Sequence, residues 1–314
     1  KYLSFHTNKN ASVSLFVHPN DHPHDSDLVY FDRNDKITKF VMKYEEKTLI
    51  QNSVSSGIFI LNSSILNEIP EGKSDLVNDV LPTLLDLDYN LFAYNSSEYV
   101  KDMGTPKRIK EVEEALNNGL VSRLNLKRKQ KAIFLDRDGV INEEVDQLVD
   151  VKDFSFIPKS IEAIKIINKS DYLAIVVTNQ PAVAKGFCSF SDTERIHMHM
   201  ETELAKKRAK LDQIFFCPCH PDKGFAGENL KYKRNCNCRK PKIGMLDEAK
   251  KRYNLDFSSS YIIGDMTRDI LTGKNAGVKS FLVNTGYAGK DGIFDVLPDN
   301  YSENLYSAVE AILS

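Results

Sequence analysis

The 314 residues include no tryptophan, only five cysteines and eleven prolines, and no long hydrophobic run. The longest apolar stretches, such as Tyr172-Leu173-Ala174-Ile175-Val176-Val177, fall far short of the ~20 residues that cross a bilayer as a helix. The first residues do not read as a signal peptide. Charge of one sign is also missing. Lys plus Arg total 42 against 44 Asp plus Glu, a net charge of -2. That balance gives no reason to expect nucleic acid or an anionic membrane as partner. Hydrophobic residues at 41% and charged residues at 27% exclude a disordered or collagen-like chain. The scarce cysteines are unevenly placed: four lie between Cys217 and Cys238, and Cys188 stands apart. An odd, clustered set points to a metal site in a reducing compartment, hence to a cytoplasmic protein, rather than to a disulfide framework.

Length predicts two domains. Thr105 followed by Pro106 reads as a helix start, Ile109, Val112 and Leu116 repeat at helical spacing, and Asn117-Asn118-Gly119 stops it. The basic run 123–131 then reads as a solvated linker. The expected organisation is an α/β piece over 1–116, a basic linker over 117–131, and a domain over 132–314. In the last, the apolar runs 132–135, 172–177, 214–216, 261–263 and 281–283 alternate with helices. One helix opens near Pro158, and another opens with a capping box at Ser191-Asp192-Thr193-Glu194. Such alternation predicts a doubly wound parallel sheet, with ligands beyond the carboxyl ends of its strands.

Those strand ends carry a matched set of reactive groups. Asp136-Arg137-Asp138 follows the run 132–135, placing two carboxylates two residues apart. Thr178-Asn179-Gln180 follows the next strand with a hydroxyl and two amides suited to phosphoryl oxygens. Gly264-Asp265, with Asp269 a helical turn on, offers hard oxygen ligands for Mg2+. Arg239-Lys240-Pro241 adds fixed positive charge.

From about Lys131 onward this set resembles the haloacid dehalogenase (HAD) superfamily of phosphatases. The resemblance implies Asp136 as nucleophile and Asp138 as general acid, then base. It implies Thr178 and Lys240 as phosphoryl-binding groups. Mg2+ would be held by Asp136, the carbonyl of Asp138, and Asp265, with Asp269 orienting them from behind. The short interval between Asp136 and Thr178 leaves no room for a large lid, so loops 143–150, 181–187 and 217–238 must shape the pocket.

Cys217-Pro218-Cys219-His220 and Cys236-Asn237-Cys238 flank a polar loop. Two Cys-x-Cys pairs suit tetrahedral structural zinc, with His220 competing as fourth ligand. The pattern is similar to the zinc-loop branch of the superfamily, typified by D-glycero-D-manno-heptose 1,7-bisphosphate phosphatases, with histidinol-phosphate phosphatases close by. Cys219 stands where that branch usually has His, Pro181-Ala182 where it has Ser-Gly, and Gln147-Leu148 where it has Gly-Tyr.

Residues 1–116 resemble the later part of a sugar-phosphate nucleotidyltransferase. The most specific stretch is Asp102-Met103-Gly104-Thr105-Pro106, which implies Asp102 as a metal ligand; Lys43 would contact sugar phosphate, although Met42-Lys43-Tyr44 replaces the usual Glu-Lys-Pro. The Gly-rich nucleotide loop of that family has no counterpart here and is expected upstream of Lys1, so a nucleoside triphosphate would be a substrate only of a longer chain. His18, His22, His24, His197 and His199 read as ordinary solvated or core histidines. The expectation is therefore a Mg-dependent phosphatase acting on a phosphorylated sugar, heptose 1,7-bisphosphate first. It would be joined to a nucleotidyltransferase module of the guanylyltransferase kind, which favours the α-anomer. The alternative is a histidinol-phosphate or other small-metabolite phosphatase with a non-catalytic first domain, and a zinc-ribbon binding module on a relic hydrolase fold is the reading from another class.

Overall fold

Side chains alternate across a strand, so a strand buried on both faces must be apolar throughout. In the computed structural model, which describes residues 1–314, this condition is met by the central strands of a six-stranded parallel sheet in the second of two compact units, Lys1–Ser122 and Arg123–Ser314. Chain order in the first unit gives β1 (Val13–His18), β2 (Leu28–Phe31), β3 (Ile37–Val41), β4 (Val54–Leu61) and β5 (Leu91–Asn95). The second has β6 (Lys131–Leu135), β7 (Tyr172–Asn179), β8 (Gln213–Cys217), β9 (Tyr261–Gly264), β10 (Lys279–Val283) and β11 (Asn300–Ser302).

The second sheet runs β11-β10-β9-β6-β7-β8. Along β6, Ala132 and Phe134 enter one core with Leu173, Ile175 and Val177 of β7, under the helix Gly244–Tyr253. Ile133 and Leu135 enter the opposite core with Ala174 and Val176, under the helices Ser160–Asn168, Phe190–Lys206 and Leu305–Leu313. Two cores on two faces make the sheet doubly wound. The chain leaves β6 toward β7 and β8, then returns to the other side of β6 to form β9. The crevice beyond β6 and β9 is thus the topological switch point, where such sheets bind ligands.

The first unit has a mixed sheet in the order β3-β2-β4-β1-β5, antiparallel except for β1 with β5. Only β1 and most of β4 stand out in the sequence. The other three strands are four or five residues long and broken by polar turns. Its core gathers Leu15, Val17, Ile37, Leu81, Leu84 and Leu91. The helix Pro106–Asn117 starts as its sequence predicts, with Thr105 Oγ1 accepting from the Arg108 amide at 3.3 Å.

Two local readings are corrected. The long helix of the second unit begins at Phe190, two residues early, because Ser189 and Asp192 close the capping box: Asp192 N donates to Ser189 Oγ at 3.1 Å and Ser189 N to Asp192 Oδ2 at 2.9 Å. Nor is the stretch 117–131 a solvated linker. Residues Leu120–Arg123 are helical, Leu126 is buried in a core of the second unit, and the Gln130 side chain donates to three backbone carbonyls. No helix is long and apolar enough to cross a membrane.

Phe134 is fully buried and meets the Phe257 ring edge-on at 6.0 Å. Phe134→Ala should destabilise the second unit by about 3–5 kcal/mol through lost burial and the cavity left behind; urea unfolding followed by circular dichroism checks this, and a loss below about 1 kcal/mol contradicts the packing described.

Candidate active site

β6 delivers Asp136 and β9 delivers Asp265 to the two sides of the switch point, while Thr178 and Asn179 end the neighbouring β7. Asp269 reaches the same place from the first turn of the helix Thr267–Ala276. Carboxylate oxygens of Asp136, Asp265 and Asp269 lie within 4.8 Å of one another, and all three residues are buried.

Against this acidic nest stands one ammonium. Lys240 Nζ lies 2.8 Å from Asp136 and 2.6 Å from Asp269, with its side chain wholly enclosed. Burial opposes charge on Lys240, but the two carboxylates prevail and raise its proton affinity. Asp265 has no such partner; burial, then Asp269 and Asp136, push its pKa up. Burial raises Asp269 as well, despite the opposing pull of Lys240. Three gathered carboxylates facing one cation form an oxygen donor set with charge left to neutralise, which fits Mg2+.

Asp265 is placed by backbone rather than by side chains. The Tyr287 amide donates to its Oδ2 at 2.8 Å, and the Gly289 amide to its carbonyl at 2.7 Å. Gly139 (φ +73°) and Gly286 (φ +60°) crowd against its carboxylate, and a Cβ on either would collide with Oδ2.

Asp138 is held differently. Arg137, fully buried, donates to its carboxylate from Nε at 3.1 Å and from Nη2 at 2.9 and 3.0 Å. Asn142 Nδ2 and Gln180 Nε2 add donors at 2.9 and 2.7 Å. Behind Arg137, Nη1 donates to His197 Nε2 at 3.1 Å. Burial and the guanidinium drive the His197 pKa well down, keeping it a neutral acceptor. In the sequence Arg137 has no assigned role, and His197 reads only as an ordinary histidine. The signal for Arg137 was its place: a charge between two aspartates at the end of a buried strand must find a buried acceptor.

The two amides that the sequence offers for phosphoryl oxygens have partners within the chain. Asn179 clamps the backbone of Lys240, donating from Nδ2 to its carbonyl at 3.2 Å and accepting its amide at 3.0 Å. Gln180 spans Asp138 and Thr178, whose Oγ1 it reaches at 3.0 Å. Both amides serve the groups around the crevice, and both residues also line the cleft. Thr178 itself lines the cleft.

That cleft, of about 220 Å³, is walled by Glu144, Asp146, Gln147 and Leu148 from one loop, Pro181, Ala182 and Lys185 from a second, and His220 and Arg239 from the cysteine loop. Burial, reinforced by Asp138, pushes Glu144 up to about 7. His220 is lowered to about 4, by burial first and then Arg239, so it stays neutral.

The four cysteine sulfurs lie within 4.8 Å of one another. Cys217 faces Cys238, and Cys219 faces Cys236, at sulfur–sulfur bonding distance, with Cα separations of 5.3 and 6.5 Å. Across the pairs, Cys217 and Cys236 stand 4.0 Å apart. His220 lies outside this cluster and lines the cleft, which corrects its place as a competing ligand.

In the first unit, Asp102 is exposed, accepts the Gly104 amide at 2.8 Å and pairs with Arg108. Lys43 is also exposed, and its backbone amide donates to Asp27 at 2.8 Å. Neither lies in a cluster of metal-ligating side chains.

Because a methyl at position 139 would displace the Asp265 carboxylate, Gly139→Ala should lower kcat/KM for Mg2+-dependent phosphate-ester hydrolysis by about 100-fold or more while the far-ultraviolet spectrum is kept; near-normal turnover would contradict the crowding.

Comparison with known proteins agrees with this geometry. A nucleotidyl transferase family model matches residues 1–119, and a HAD-hydrolase-like model matches residues 237–308. D-glycero-alpha-D-manno-heptose-1,7-bisphosphate 7-phosphatase of Photorhabdus laumondii is 40% identical over 160 residues, 51% of this chain and 85% of the relative. The D-glycero-beta-D-manno-heptose-1,7-bisphosphate 7-phosphatase of Pasteurella multocida is 40% identical over 159 residues, 50% of this chain and 83% of the relative. Among solved structures, the D,D-heptose 1,7-bisphosphate phosphatase of B. bronchiseptica, complexed with magnesium and phosphate, superposes with a TM-score of 0.52 at 33% identity, covering 59% of this chain and 98% of that one. Through its second unit the chain belongs to the heptose-1,7-bisphosphate 7-phosphatase family of HAD-like hydrolases, here fused to a nucleotidyl transferase-type first unit.

Proposed function

We propose that the second unit removes the 7-phosphate of D-glycero-D-manno-heptose 1,7-bisphosphate through an aspartyl-phosphate. The observation that carries this reading is the convergence of Asp136, Thr178, Lys240 and Asp265 on one crevice, with Asp138 held beside them. Asp136 attacks phosphorus as the bond to the sugar 7-oxygen breaks, and Asp138 gives that oxygen its proton. Water then attacks the aspartyl-phosphate, Asp138 takes a proton from it, and inorganic phosphate leaves with Asp136 regenerated as carboxylate. Gln180, Asn142 and Arg137 hold Asp138 in place through both steps. Lys240 and Thr178 hold the phosphoryl oxygens. Mg2+, held by Asp136, Asp265 and the carbonyl of Asp138 with Asp269 supporting, would neutralise charge on the phosphoryl oxygens.

Zn2+ on Cys217, Cys219, Cys236 and Cys238 would act structurally. Cys238 precedes Arg239 and Lys240 directly, so a fixed loop fixes both cations. Together with a nucleotide-binding loop, the first unit would transfer a nucleotidyl group to the resulting heptose 1-phosphate, with Asp102 and Lys43 as its metal and sugar-phosphate contacts.

Phosphate release from the α and β heptose bisphosphates and from histidinol phosphate tests the substrate. Release is expected from a heptose bisphosphate, and release from histidinol phosphate alone would sink the assignment. Asp136→Asn should reduce turnover by at least about 10³-fold; retained turnover would remove the aspartyl-phosphate. Chelation should abolish phosphate release and added Mg2+ restore it, whereas activity that survives exhaustive chelation counts against a metal-dependent step.

A further inference from the structure

His197 has no part in the mechanism above. It lies midway along the helix Phe190–Lys206, is buried, and does not wall the cleft. A buried histidine on a helix ordinarily fills a core, so what it touches decides its role. Its Nε2 accepts from Nη1 of the fully buried Arg137 at 3.1 Å, and the Phe216 ring packs against the imidazole edge-on at 5.0 Å. Arg137 spends its other edge on Asp138. Asn142 reaches only Oδ1 of that carboxylate and Gln180 only Oδ2, whereas Arg137 Nη2 spans both oxygens at 2.9 and 3.0 Å. The planar guanidinium thus sets the plane of the Asp138 carboxylate, and anchored along both edges it cannot pivot about that contact.

The chemical nature of the second anchor matters. A carboxylate in place of His197 would share the positive charge of Arg137 and draw it away from Asp138. An apolar side chain would leave a buried N–H without its acceptor. A neutral imidazole satisfies the donor and leaves the charge facing Asp138, and burial together with Arg137 holds His197 neutral. We propose that His197 is a positioning residue: through Arg137 it fixes the orientation in which Asp138 passes its proton to the leaving sugar oxygen. The inference rests on the phosphatase reading and adds to it a residue that never touches the substrate. The proton still moves from Asp138 to the oxygen released as the phosphorus–oxygen bond breaks, and His197 neither gives nor takes one.

The test compares His197→Gln, His197→Asn and His197→Leu in the full chain with Mg2+. The glutamine carbonyl is neutral and reaches about as far as Nε2, asparagine stops one bond short, and leucine offers no acceptor. Each variant is assayed on heptose 1,7-bisphosphate, an alkyl ester whose oxygen needs a proton to leave, and on p-nitrophenyl phosphate, whose leaving group departs without one. The ratio kcat/KM covers only the steps through aspartyl-phosphate formation, so the later base role of Asp138 does not enter it. His197→Asn and His197→Leu should lose about 10- to 100-fold in kcat/KM on the heptose ester and less than about threefold on p-nitrophenyl phosphate. His197→Gln should stay within about threefold of the wild type on both. Retained aryl turnover also shows that the variants fold. Equal losses on the two esters, or an asparagine variant as active as the glutamine variant on the heptose ester, would each overturn the proposal. Asp138→Asn is the reference: without a leaving-group contrast there, the acid of the phosphatase reading fails, whereas a contrast there that the asparagine and leucine variants lack overturns the role of His197 alone. Failure of the heptose substrate shows in the wild type, and the contrast is then measured on histidinol phosphate, also an alkyl ester.

Discussion

The enclosed ion pairs of Lys240 with Asp136 and Asp269 hold the centre of the second unit together electrostatically. Gathering carboxylates in a low-dielectric crevice is strongly unfavourable unless cations share the space. Lys240 meets part of that requirement from within the chain. It also ties three distant segments to one point: the end of β6, the first turn after β9, and the loop after the cysteines. Around that point Asp265 is set by a backbone amide and by glycines that make room, whereas Asp138 is set by the side chains of Arg137, Asn142 and Gln180.

Much of this arrangement follows from sequence because its determinants are local. A run such as 132–135 is apolar on both faces and must be a central strand, and a reactive aspartate directly after it must sit at a strand end. The switch point follows from topology, and the carboxylates, Thr178 and Lys240 fall where that topology brings them. What sequence hides are pairings between distant residues. Gln180 bridging Asp138 and Thr178, Asn179 clamping the Lys240 backbone, and His197 accepting from Arg137 each join residues with no sequence relation. The two amides beside the site hold reactive residues, a role that their place in the sequence does not reveal. Short strands such as β2 and β3 were hidden for another reason: four or five residues between polar turns carry too little periodicity to register.

The cysteine loop shows how a structural element can act on specificity at a distance. Its thiol cluster packs into one core of the sheet through Cys217 and Cys219, while its far end leads into Arg239 and the wholly buried Lys240. Asn179 then fastens the Lys240 backbone to the end of β7. A single loop thereby delivers one cation to the acidic nest and another to the cleft wall.

The order in which these groups occur along the chain has a consequence for biosynthesis. Asp136 comes early in the second unit, but Lys240 follows more than a hundred residues later, and the Tyr287 amide that positions Asp265 follows later still. During vectorial synthesis, β6 and β7 can pair before Lys240, the partner of Asp136, is made, whereas Arg137 already stands beside Asp138. Until then Asp136, at the end of β6, lacks the ammonium that shares its crevice. The ion pair of Lys240 with Asp136 can therefore form only with a segment made well after the strand that carries Asp136.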